Sequence, residues 1–346
     1  MALRVAIAGY GLAGSVFHAP LVAATPGLEL AAVVTRDPER RARLAREHPR
    51  ARAVDTVEDA LGDADVVVVA TPNRFHVPVA RAALDAGCHV VVDKPLAVTA
   101  AEARELVERA DAAGRLLVPF HNRRWDDDFL TLRALVEEGR LGRVLRLESR
   151  FDRWRPEVRG EAWREGGDPE SGGGLLLDLG THLADQAVQL LGPVVAVYAE
   201  LDRRRPGAQV EDDVFVALTH EGGARSHLWA GVLAAHLAPR FRVLGDRAAF
   251  TSEGLDPQEE QLRDGLRPGD DGYGTRPREA WGALHDGERA EPVPMLRGDW
   301  PAFYAGLVEA VRGDAPPPVA AQDGAAVIGL LEAALRSARS REVVAL

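Results

Sequence analysis

The 346-residue sequence is short of several residue types at once. Cys88 is the only cysteine, which excludes an internal disulfide framework and a cysteine-rich metal site. No metal site is expected from the remaining residues. No stretch approaches the ~18 consecutive apolar residues of a membrane span. The start, MALRVAIAGYG, reads as a strand entering a glycine turn, without the charged head, long apolar run and cleavage site of a signal peptide. A soluble cytoplasmic protein is expected. A net positive charge is also lacking: the balance of −11 argues against nucleic acid or an anionic membrane surface as the main partner. Lys94 is the only lysine in a combined Lys+Arg count of 42. Asparagine is confined to Asn73 and Asn122, and isoleucine to Ile7 and Ile328. The skew has the look of a coding bias, so each surviving rare residue is weighed on its surroundings.

Residues 3–119 alternate between short, β-branched apolar runs and helical patterns. The runs are Arg4–Ala8, Leu28–Val34, Val66–Ala70, His89–Val92 and Leu116–Phe120, continuous as strands buried on both faces should be. Asp37-Pro38-Glu39 offers a cap with proline at the first helical position, and Thr99-Ala100-Ala101-Glu102 reads as a capping box. Gly87 and Gly114 stand where helix ends favour a left-handed residue. This rhythm predicts an α/β protein with an N-terminal doubly wound parallel sheet over residues 1–120.

After residue 120 the pattern changes. Helices are expected near Phe129–Glu138, Leu179–Leu191, Trp300–Arg312 and Asp323–Arg339. Strands are expected at Val144–Phe151, Val194–Leu201, Val214–His220, Ala224–Val232 and Arg240–Leu244. Few helical patterns separate them, so residues 121–346 read as an α+β domain with an open, mainly antiparallel sheet. Residues 155–174 and 253–300 read as irregular.

Gly9-Tyr10-Gly11-Leu12-Ala13-Gly14 matches G-x-G-x-x-G directly after a strand and into a helix. Such glycines allow a tight turn and close backbone approach, so that a dinucleotide pyrophosphate sits on the helix N-terminus. NAD enzymes usually place a carboxylate at the tip of the second strand to bond the ribose hydroxyls. Here Thr35 and Arg36 stand there, a pair suited to a 2′-phosphate, and NADP is favoured over NAD. Arg36 equally suits a solvated loop, with Asp37 only a helix cap. Thr71, Pro72 and Asn73 follow the third run, with His76 three residues beyond, at a strand end where ligands bind. Asn73 also serves as an ordinary cap.

Lys94 follows the fourth run, again at the carboxyl edge. An ammonium is more compact than a guanidinium, and burial moves its pKa toward neutrality, which suits a group that bonds a reacting hydroxyl. In GGGLLLDLGTH, Asp178 and His182 are four residues apart and share one face if helical. A histidine is the usual general base near neutral pH, and a carboxylate orients it. The same two residues also suit a helix cap and a buried core histidine. The glycines before them leave room for a ligand. Arg124, in FHNRRWDDDF, and Arg153, in RFDRWRP, are candidate readers of polyol hydroxyls; surface ion pairs or a network between domains fit them equally.

Taken together, GYGLAGSVFHAPL, ATPNRFH, VVVDKPLA, FHNRRWDDDFLTL, FDRWRPEV with WRE, and GGGLLLDLGTH resemble the Gfo/Idh/MocA family of NAD(P)-dependent oxidoreductases. Within it, HNRRW-D-DFLT and RPEV…WRE are most like NADP-dependent scyllo-inositol 2-dehydrogenases. The resemblance implies a Rossmann domain followed by an α/β domain whose open sheet commonly forms a homo-oligomer interface, as a dimer or tetramer. It implies that Lys94, Asp178 and His182 hold the catalytic positions and also meet the substrate, and that the Lys-Pro step is often cis. Gly9, Gly11, Leu12, Gly14, Thr35, Arg36, Thr71, Pro72, Asn73, His76, Lys94, Asn122, Trp163 and Arg164 fall at cofactor-binding positions, with Trp163 and Arg164 toward the nicotinamide end. Most members carry Glu where Asp93 stands. The implied activity is hydride transfer between NADP(H), or NAD(H), and a polyol or sugar. Two alternatives are a glycosidase- or eliminase-type enzyme that uses the cofactor transiently, and a non-enzymatic nucleotide-binding regulator. Regulators of this kind tend to lose the lysine or histidine, and both are present here.

Overall fold

β1 (Leu3–Ala8) is flanked by parallel neighbours on both sides, which is why Val5, Ala6, Ile7 and Ala8 are all buried. The computed structural model describes residues 2–158, 163–168 and 171–346. β1 pairs with β2 (Leu28–Val34) and β4 (Val66–Val69); β3 (Arg52–Val54), β5 (His89–Asp93) and β6 (Leu117–Phe120) complete a six-stranded sheet in the order β3-β2-β1-β4-β5-β6. Every pairing in it is parallel. The order reverses at β1, and the carboxyl ends of β1 and β4 meet at that switch point. Helices α1 (Ala19–Ala24), α2 (Pro38–Glu47), α3 (Glu58–Leu61), α4 (His76–Asp85) and α5 (Ala100–Ala113) connect the strands. The expected start signals are in place. Asp37 accepts from the Glu39 and Arg40 amides, Thr99 and Glu102 cap reciprocally, and Gly114 is left-handed at φ +60°.

The first compact unit comprises Met1–Asn122, Gln258–Tyr273 and Asp299–Ile328. Later segments rejoin it because α9 (Pro301–Arg312) buries Phe303, Tyr304 and Leu307, with Phe303 edge-on to Phe120 at 4.8 Å. α8 (Gln258–Arg263) is tied in where the Trp300 amide donates to Gln258 at 2.8 Å. β3, three residues long, was too short to show in the apolar pattern.

The second unit comprises Arg123–Pro257, Gly274–Gly298 and Gly329–Leu346. Its strands are β7 (Val144–Asp152), β8 (Val194–Asp202), β9 (Asp213–His220), β10 (Arg225–Gly231), β11 (Phe241–Gly245), β12 (Ala249–Ser252), β13 (Gly282–His285), β14 (Ala290–Val293) and β15 (Val344–Ala345). They form one sheet in the order β14-β13-β12-β11-β7-β10-β9-β8-β15, antiparallel except where β7 meets β10. Strict alternation along β9 buries Val214, Val216 and Leu218 on one face. The helices α6 (Asp127–Glu137) and α7 (Thr181–Leu191) belong to this unit, and α7 packs on β7 and β10. α10 (Ala321–Ser340) ends the helical series, its residues through Ile328 counting with the first unit. Strands β13 and β14 lie in a stretch that the sequence presents as irregular, since Gly and Pro mask their short alternation.

Candidate active site

In the first unit, the three glycines after β1 are required for different reasons. A Cβ at Gly9, whose φ is +100°, would lie 2.6 Å from the Ala70 carbonyl oxygen at the end of β4. A Cβ at Gly14 would overlap the Gly9 carbonyl oxygen itself. At Gly11 the added atom would meet nothing within 4 Å among the described residues, so the backbone there borders open space. The helical segment Ala13–His18 that follows is wound wider than an α-helix, and the Ser15 amide donates to Gly11 at 2.9 Å. Leu12 stands 46% exposed beside the turn.

This arrangement fits a dinucleotide: an open cradle at Gly11, an exposed apolar side chain at Leu12, and the buried Thr71 Oγ1, which has no hydrogen-bond partner among the described residues. Asn73 is buried just beyond. At the tip of β2, Thr35 is buried and Arg36 is exposed, its Nε donating to the Asp55 carbonyl at 3.1 Å. Arg41 joins them, donating to the Thr35 carbonyl at 2.9 Å and pairing with the Asp55 carboxylate at 2.5 Å. Arg43 reaches the Ser15 hydroxyl at 3.0 Å. Neither arginine stood out in the sequence, because both sit inside a helix dense in arginine.

Lys94 follows β5 at the carboxyl edge of the sheet and is half-buried. Its amide donates to Asp93 Oδ1 at 2.8 Å, and the Lys94–Pro95 peptide is cis. His76 is fully buried, with both ring nitrogens against backbone carbonyls: Nδ1 lies 2.7 Å from Pro95 O and Nε2 2.9 Å from Thr71 O. It therefore has no ring nitrogen to offer a nucleotide directly. Asn122 is buried at the end of this unit.

In the second unit, Asp178 lies in a wide helical turn, Leu176–Gly180, that runs straight into α7, where His182 occupies the first turn. Asp178 is 22% exposed and Arg164 Nε is 3.5 Å from its carboxylate. His182 is 5% exposed, its ring 6.2 Å from that of Phe151. The glycines ahead of this turn answer to the chain's own packing. A Cβ at Gly173 would lie 2.8 Å from the Arg164 carbonyl oxygen, and one at Gly174 would overlap the Glu211 carboxylate. Burial raises the Glu211 pKa, and that carboxylate accepts from the Leu176 amide at 3.1 Å. Arg153 is half-buried, with its amide donating to Gly231 at 2.9 Å. The Trp163 side chain lies outside the described residues.

Arg124 belongs to an internal network. Its Nε and Nη2 hold the Asp185 carboxylate at 2.9 and 2.6 Å, both side chains more than 90% buried. Asp185 is three residues beyond His182 on α7. Gln186, next along, donates to the Arg123 carbonyl at 2.8 Å and accepts from Arg240 at 2.6 Å. Burial lowers the Arg240 pKa to about 10. Asp127 pairs with Arg276, and its amide donates to Asp256 at 2.7 Å. The run NRRWDDDF thus fastens α6 and α7 from within, rather than forming the surface ion pairs it also suggested. Asp185, Gln186 and Arg240 escaped sequence reading because each depends on a partner more than 50 residues away.

Among the described residues, no cluster of His, Cys, Asp and Glu is placed to hold a metal, and no helix is long and apolar enough to cross a membrane. A family model described as an oxidoreductase-family NAD-binding Rossmann fold matches residues 3–121, and one described as the C-terminal α/β domain of that family matches residues 133–346. The uncharacterised oxidoreductase YdgJ of Escherichia coli is 42% identical over 99% of both chains. The Bacillus subtilis scyllo-inositol 2-dehydrogenase (NADP(+)) IolW is 35% identical over 99% of this chain and 96% of its own. A Yersinia pestis oxidoreductase, YPO2259, superimposes with a TM-score of 0.92 at 41% identity, covering 100% of this chain and 97% of that one.

Proposed function

The chain belongs to the Gfo/Idh/MocA family of oxidoreductases, and from that premise we propose that it moves a hydride between NADP(H) and a secondary alcohol or ketone of a polyol or sugar, with scyllo-inositol the first substrate to test. The observation that carries the proposal is the lone lysine at the end of β5, in the sheet whose β1 opens into the glycine cradle. Bound NADP⁺ supplies the hydride acceptor. Gly9, Gly11 and Gly14 admit the pyrophosphate, Leu12, Thr71, Asn73 and Asn122 complete its surroundings, and Arg36 with Thr35 receives the 2′-phosphate. Arg164 belongs to the nicotinamide end.

The Lys94 ammonium donates to the substrate oxygen and stabilises it as it gains alkoxide character. His182 takes the hydroxyl proton as general base, and Asp178 orients it. Arg153 reads a further hydroxyl. The open sheet face supports a homo-oligomer: Trp229 lies 5.2 Å from Phe215 across the β9–β10 pair and carries Arg150 over its ring at 3.9 Å, a half-exposed surface of the sort that partners cover.

The test is a panel of inositols and sugars assayed with NADP⁺ and with NAD⁺, following absorbance of the reduced nicotinamide. Turnover of a polyol with NADP⁺ is the expected result; no substrate-dependent reduction across the panel contradicts the proposal. In the same assay Arg36→Ala raises the NADP⁺ KM roughly tenfold, the size of one charge-assisted contact, with little effect on the NAD⁺ KM. Equal effects on both contradict the role given to Arg36.

A further inference from the structure

We propose that His76 is the positioning residue for Lys94, a doubly protonated imidazolium that ties the end of β4 to the residue after the lysine, with Asp93 as its counter-charge. The inference begins with what its ring faces. Nδ1 is 2.7 Å from the Pro95 carbonyl oxygen and Nε2 is 2.9 Å from the Thr71 carbonyl oxygen. A carbonyl oxygen has no proton to give, so each of these bonds requires an N–H on the ring. A neutral imidazole carries only one. In the neutral form, one nitrogen lone pair would face an oxygen at hydrogen-bond distance, at a residue 1% exposed, where water does not intervene. Turning the ring over does not help. It would set ring carbons against both oxygens at distances too short for C–H contacts.

The charged and titratable groups around the ring define the balance. Burial disfavours the charged form and lowers the His76 pKa; the Lys94 ammonium acts in the same direction. Asp93 and the two carbonyls favour the charge. His18, on which Asp93 also acts, is pushed down to about 4 by burial and so stays neutral near pH 7, adding no competing charge. Its Nδ1 is 2.7 Å from the Tyr304 hydroxyl, which burial keeps protonated. Among the described residues, Asp93 is therefore the one carboxylate that acts on His76, His18 and Tyr304 alike, and it also caps the Lys94 amide at 2.8 Å. Two carbonyl acceptors fixed in place and the Asp93 carboxylate oppose that desolvation cost. The consequence for function is indirect: His76 holds the backbone on the far side of Lys94, and through it the direction from which the ammonium leaves the strand.

The positioning role rests on the reading of Lys94 given above, whereas the charge state does not. The full-length protein, labelled with ¹⁵N-histidine, is observed by long-range ¹H–¹⁵N correlation, with His76→Gln used to assign the ring. Both His76 nitrogens should resonate as protonated nitrogens between pH 6 and 8, and Asp93→Asn should move one of them to the unprotonated position. A wild-type ring with one unprotonated nitrogen across that range overturns the charge assignment, whatever the activity. In kinetics, His76→Gln should lower kcat at least tenfold while the NADPH dissociation constant changes less than threefold. A rise in that constant matching the fall in kcat overturns the positioning role and makes His76 a cofactor contact instead.

Discussion

Removing Arg124 tests the internal network most sharply. Its guanidinium meets Asp185 through two bonds, at 2.6 and 2.9 Å, and the two side chains are 8% and 3% exposed. Arg124→Ala leaves a buried carboxylate without its cation, which costs about 3–5 kcal/mol, against about 0–1 kcal/mol for an exposed pair. Asp185→Ala leaves the cation instead and costs a similar amount. The double variant removes both charges, so its loss falls well short of the sum of the singles. Denaturant unfolding followed by tryptophan fluorescence reads all three values. A loss below about 1 kcal/mol for Arg124→Ala, or strict additivity, refutes the reasoning. It would return Arg124 to the role its sequence context suggested, a hydroxyl reader whose replacement raises the substrate KM and leaves stability alone.

Two further outcomes follow from the first unit. His18 is fully buried, and burial pushes its pKa down from the usual histidine value near 6.5 to about 4. The unfolded chain therefore binds this proton more readily. The stability held above about pH 6.5 is lost as the pH falls toward 4, by about 3 kcal/mol in all. Unfolding free energies measured from pH 7 to pH 4 should drop less steeply in His18→Gln, and an unchanged slope counts against the assignment. The cradle glycines should separate two effects. Gly14→Ala collides with the Gly9 carbonyl and costs about 1–3 kcal/mol of stability, whereas Gly11→Ala points into open space, keeps the melting temperature and weakens NADPH binding. Equal losses of stability in both would mean that the space beside Gly11 is not a ligand's.

Much of this architecture was legible because local signals agreed with one another. The apolar runs, the Asp37 and Thr99 caps and the glycine turn each pointed to a doubly wound sheet, and the two strand ends bearing Thr71–Asn73 and Lys94 lie side by side in it. Long-range pairing was not legible. Nothing in the spacing of NRRWDDDF announces that Arg124 answers Asp185, or that Asp127 answers Arg276, since those contacts span 61 and 149 residues. The return of α9 to the first unit was hidden for the same reason: Phe303 and Tyr304 look like any amphipathic stripe until Phe120 and His18 are set against them. The glycines before Asp178 have a second reason to be there that their spacing did not show: a Cβ at Gly173 would meet the Arg164 carbonyl, and one at Gly174 the Glu211 carboxylate.

The most direct test of the account is Lys94→Arg, which keeps the positive charge but loses the compact ammonium. Turnover of the best polyol from the panel should fall about 10³-fold, the scale of losing one preorganised donor to a developing oxyanion, with NADPH affinity within about twofold of wild type. A variant that turns over at close to the wild-type rate would contradict it.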